Sequence, residues 1–204
     1  MCTWFIPVQS RHRPSIFRTR IISDTDKAYS EIPNFVRLAK QVFSNDGTFE
    51  QDTQNFVVGT SIRTAAKLIR KRGYQKNDEL HGSVLNWILD LNHCYNLSVA
   101  AVSIYALGDW WTPPETVRQR LIELVHLKRR PDNQHPVTLP GIAYRVLTQR
   151  DPKTALQLTE TPARLDFEKA IKHWVRQYRI EHPDNDRLPN TLSGDVKWLA
   201  ENAN

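Results

Sequence analysis

Lysine and arginine crowd one short part of this chain. Arg63, Lys67, Arg70, Lys71 and Arg72 follow one another closely, and no acid lies between Asp52 and Asp78. Cations at three- and four-residue steps share a helix face. Such a face can hold phosphate oxygens, and an Arg on it can also bind guanine bidentately. Three readings fit the stretch: a helix that reads DNA, a helix that rests on a phosphate backbone, and an ordinary solvated face. A second group, Arg11, Arg13, Arg18 and Arg20, precedes the first acid, Asp24. It reads equally as an arm along phosphates or as a tail kept soluble by charge.

Other chemistries have thinner support. His93 and Cys94 are chain neighbours, and adjacent side chains of a helix point in different directions. They read as a core Cys and a partnered His. Asp132, Asn133 and His135 read as a turn. Asp184 and Asp186 stand close enough in "PDND" to suggest a divalent ion, but Asp and Asn are also standard turn residues. There is no P-loop, dinucleotide-binding glycine pattern, GxSxG or HExxH. We therefore expect no catalytic residue, no metal site and no cofactor.

The composition permits a globular protein with a polyanionic partner. At 204 residues the chain can form one sizeable core or two small domains. The formal charge of +6 favours nucleic acid first, an anionic membrane surface second and an acidic protein third. Cys2 and Cys94 lack CxxC partners, which excludes a Cys-rich zinc module and suits a reducing compartment. The opening "MCTWFIPV" lacks the basic lead of a signal peptide. The longest charge-free run, 91–108, carries Asn92, His93, Asn96, Ser98 and Ser103, and so reads as buried core instead of a membrane span. A cytoplasmic location is expected.

The elements that must position these residues read as helices. Apolar period and caps predict them over 31–43, 61–72, 80–95, 113–130 and 163–180. Thr60 or Ser61 is a candidate cap for the second, and Gly73 its exit residue. Thr112 caps the fourth with Pro113 first, and Lys128, Arg129 and Arg130 complement its C-terminal dipole. The run from Val99 to Tyr105 fits a helix or, through its β-branched residues, a strand. "IAYRVLTQ" is ambiguous between the same two. Trp87, Ile88, Leu91, Leu121, Leu124, Ile171 and Trp174 should be largely buried. Trp110 and Trp111 offer a partner-binding or base-stacking ring, or else one core ring and one half-exposed neighbour.

Residues 51–74 resemble the helix-turn-helix motif of bacterial DNA-binding proteins. Gln51 falls where many such motifs begin, Gly59 at the turn and Ser61 at the cap of the second helix. Thr64 and Leu68 follow in register, and "RKRGY" resembles the exit of winged versions. Asn55, Gln54, Ala65 and Thr60 depart from the pattern. The resemblance implies that Ser61, Arg63, Thr64 and Lys67 face a major groove, with Arg70, Lys71 and Arg72 near phosphates.

The sequence thus points to a mainly α protein. It would be a compact helical bundle over 1–204, with an extended N-terminal arm over 1–23, a candidate helix-turn-helix and a candidate subdivision near 131–140. The expected function is nucleic-acid binding, DNA before RNA, by a regulator or accessory factor. The alternatives are a helical subunit of a larger nucleoprotein complex and a protein–protein adaptor.

Overall fold

The computed structural model describes residues 25–44, 50–111, 114–128 and 136–202. The N-terminal arm, with Arg18 and Arg20, lies outside the described residues. So do Thr112, Pro113, Arg129, Arg130, Asp132, Asn133 and His135. Ten helices make up the described chain, and no strand occurs among the described residues. None of these helices is long and apolar enough to cross a membrane. The chain groups into two compact units that divide between Trp110 and Trp111.

The first unit holds α1 (Thr25–Ser30), α2 (Ile32–Ser44), α3 (Gln51–Arg72), α4 (Glu79–Leu91) and α5 (Leu97–Trp110). Helix α2 follows its amphipathic pattern, burying Ile32, Val36, Ala39 and Val42. Helix α3 is the hub and packs on all four others. Helix α5 is apolar most of the way round, and it is a helix where the sequence left a strand open. A helix of that kind occupies a centre, where no face needs to be polar.

The second unit holds α6 (Pro114–Val125), α7 (Leu139–Arg150), α8 (Pro152–Gln157), α9 (Pro162–Glu181) and α10 (Asn190–Glu201). The ambiguous "IAYRVLTQ" lies in α7, which is buried continuously from Leu139 to Thr148. Two polar clusters fix it. The Thr138 hydroxyl caps its start, accepting from the Gly141 amide, and donates to Asp166 Oδ2 at 2.7 Å. Arg145 Nε donates to Asp195 Oδ2 of α10 at 2.8 Å, and its guanidinium lies 4.4 Å from the Trp174 ring centroid. All seven expected core residues are buried, with Leu121 at 0% and Leu124 at 1% exposure.

The largest departure from expectation concerns α3. Residues 51–72 form one unbroken helix. The turn expected at Gly59 and the cap expected at Thr60 or Ser61 are absent. Gly59 is a helical residue seated against α5, where an added Cβ would come within 2.8 Å of Val102 Cγ1. The glycine serves close helix approach and not a left-handed turn. Asn55, which fits poorly in a helix-turn-helix, accepts a hydrogen bond from Asn96 Nδ2 at 3.0 Å. The pairs Asn55–Asn96, Gly59–Val102 and Arg63–Asp109 advance together, so α3 and α5 run parallel.

Gly59→Ala should therefore destabilise the protein, although Ala is better than Gly in a helix by roughly 1 kcal/mol. Overpacking of this kind costs about 1–3 kcal/mol. Urea unfolding of Gly59→Ala, Val102→Ala and the double variant should show the double less destabilised than the sum of the singles. A neutral or stabilising Gly59→Ala would mean that α3 and α5 do not approach so closely.

Candidate nucleic-acid interface

Helix α3 has both end signals that its dipole favours. Asp52 stands in the first turn and Arg70, Lys71 and Arg72 in the last. Gly73 closes it at φ 96°, with its amide donating to the Ile69 carbonyl at 3.0 Å. The exit is held by aromatic packing. The Tyr74 ring stacks on His81 at 5.8 Å and meets the Trp110 ring edge at the same separation. His81 Nδ1 accepts from the Gln75 amide at 3.0 Å, which leaves Nε2 to donate to the Tyr29 hydroxyl at 2.5 Å. Burial pushes the Tyr29 phenol up, and the nearby Asp78 adds to the rise. "RKRGY" thus ends in a packed corner of the first unit.

The buried face of α3 carries Val58, Ile62, Ala65, Ala66 and Ile69. The opposite face carries Phe56, Thr60, Arg63, Lys67 and Arg70 at three- and four-residue steps, with Lys71 beside them. Phe56 is 58% exposed, and the Lys67 side chain 59%. Arg70 and Lys71 are also exposed. Ser61 and Thr64 are half-buried. Ser61 neither caps a helix nor stands at the centre of the cationic face.

Three of the expected contact residues already meet carboxylates. Arg63 Nε donates to Asp109 Oδ2 at 2.6 Å, and its guanidinium lies 5.8 Å from the Tyr105 centroid. Lys67 Nζ stands 3.8 Å from the same oxygen. Asp109 is buried on α5, and a buried carboxylate needs such cations. Arg72 turns away to α1, donating to Asp26 Oδ1 at 3.2 Å and lying 4.2 Å from the Tyr29 centroid. The structure thus gathers Arg63, Lys67, Arg70 and Lys71 on one face, with Thr64 at its flank, and directs Arg72 elsewhere.

Sequence reasoning missed three residues here. Asp109, remote in sequence, is the counter-charge for Arg63. Phe56 lies in the stripe, and Tyr95 in the turn after α4 is 89% exposed. The helical period through Phe56 was the available signal, but the expected turn at Gly59 interrupted it. Trp110 has the opposite character: it is 0% exposed, and its indole N–H has no hydrogen-bond partner. Trp110 is thus the core ring of the pair, as the second of the two expectations had it, and not a surface contact. Trp111 is half-buried.

Among the described residues no group of three or more His, Cys, Asp and Glu could hold a metal ion. Asp184 and Asp186 flank Asn185, whose Oδ1 accepts from the Arg187 backbone amide at 3.0 Å and whose Nδ2 donates to the Tyr178 hydroxyl. The Cys94 thiol lies 3.2 Å from the Asn96 carbonyl. No family model, curated protein or solved structure matches this chain.

If Asp109 holds Arg63 in place, the two should be coupled energetically. A double-mutant cycle of Arg63→Gln and Asp109→Asn in urea should give about 1 kcal/mol, modest because the Arg63 side chain is 37% exposed. Zero coupling would mean that the pair adds nothing to stability.

Proposed function

We propose that this protein binds nucleic acid without doing chemistry on it, taking phosphates along the exposed face of α3. One observation carries the reading: Lys67, Arg70 and Lys71 stand exposed on one side of a rigid helix, in a stretch that has no acid from Thr53 to Asn77. Residues 1–110 carry thirteen Lys and Arg against ten Asp and Glu, a net charge of +3. Segregation of charge on α3, more than that net charge, supports a polyanion as the partner. A phosphate backbone fits a row of cations, whereas base reading in a major groove rested on a turn that α3 lacks. An accessory factor or regulator that grips the backbone is the role most consistent with this. Its cysteine usage suits the cytoplasm.

A second reading, a subunit of a larger nucleoprotein complex, is favoured by the surface of the second unit. Leu165 and Ile180 on α9 are 59% and 67% exposed, beside the exposed Arg176 and Arg179. Apolar side chains on such a face suit contact with another protein.

Arg70→Ala and Lys71→Ala should each weaken binding to every sequence. Each lost contact should reduce the slope of log affinity against log salt by about 0.9 on duplex DNA or about 0.7 on a single strand. Arg72→Ala should change the slope less than Arg70→Ala, because Arg72 is engaged with Asp26 and Tyr29. Slopes that stay at the wild-type value for Arg70→Ala and Lys71→Ala would reduce α3 to a solvated face.

A further inference from the structure

We propose that the ligand of the α3 face is single-stranded nucleic acid, with its bases stacked on Phe56 and Tyr95 and its backbone running along Lys67, Arg70 and Lys71. This rests on the reading of α3 as a phosphate-binding face and adds the class of strand. Phe56 lies in line with Arg63, Lys67 and Arg70, at offsets of seven, eleven and fourteen residues, so all four share one side of the helix. The stripe from Phe56 to Arg70 is about 21 Å long at 1.5 Å per residue.

Tyr95 reaches the same end by a separate route. Asn96 donates to Asn55 at 3.0 Å, which seats the turn after α4 against the α3 residue that precedes Phe56. The two residues next to that bond, Phe56 and Tyr95, are 58% and 89% exposed. One exposed aromatic is ordinary on a protein surface. Two at one end of α3, one of them in the cationic stripe, make the combination that binds single strands: rings for base faces and cations for phosphates. A duplex keeps its base faces stacked inside and offers these rings nothing. Asp109 limits the electrostatic share, since it occupies Arg63 and draws on Lys67. Stacking therefore has more to contribute.

The test uses the full chain with labelled oligo(dT), oligo(U), a duplex of equal length and inorganic polyphosphate, over a salt series. Phe56→Ala and Tyr95→Ala should each weaken binding to both oligonucleotides on the order of tenfold. Their salt slopes, and their binding to duplex and polyphosphate, should stay at the wild-type values. Phe56→Tyr should retain binding. Tighter binding of oligo(dT) or of oligo(U) identifies the strand as DNA or RNA, and either supports the proposal. Equal losses on polyphosphate, or unchanged oligonucleotide binding by both alanine variants with wild-type circular dichroism, would overturn it. If Arg70→Ala lowers the salt slope while the aromatic variants change nothing, stacking fails and the phosphate reading stands. If no nucleic acid binds at all, both fail.

Discussion

Gly59 of α3 lies against Val102 of α5, where any Cβ would meet Cγ1 within 2.8 Å. That approach keeps two helices parallel and close over their length, from Asn55–Asn96 to Arg63–Asp109. Together with the packing of α1, α2 and α4 it buries the rest of α3 and decides which side chains remain for solvent. A turn at Gly59 would have split the stretch and aimed its second half separately. An unbroken helix instead lines up Phe56, Arg63, Lys67 and Arg70, so the composition of the candidate interface follows from how α3 packs.

Electrostatics then engages three of the cations. Burial of Asp109 on α5 would be costly for a lone carboxylate. Arg63 at 2.6 Å and Lys67 at 3.8 Å offset that cost and lose part of their availability. Arg72 is committed to Asp26 and Tyr29 on α1. The same logic governs the second unit, where Arg145 lies inside α7 because Asp195 and Trp174 receive it. A charge in an apolar run is informative in both units: it has a partner far along the chain.

The sequence was legible where one helix face is polar. Helices α2 and α9 follow their apolar period, and their ends fall within a residue of those expected from pattern and punctuation. It was less legible where a helix is buried all round. Helices α5 and α7 have no polar face to set a period, so β-branched residues left a strand open. The start of α3 was obscured for another reason. Gly59 and Ser61 are turn and cap residues by propensity, and packing against α5 overrides that preference. At the site, the cations and their shared face could be read directly. Asp109 and Tyr95 could not, because 46 residues separate Arg63 from Asp109 and 41 separate Asn55 from Asn96.

We propose that a polyanion lies along α3. Photocrosslinking of an oligonucleotide with photoreactive thymine or uracil analogues, followed by peptide mapping, tests it most directly. Crosslinks should fall in the peptides that carry Phe56 to Lys71 and in the turn that carries Tyr95. Crosslinks confined to α9 and α10, or to the N-terminal arm with Arg18 and Arg20, would contradict it.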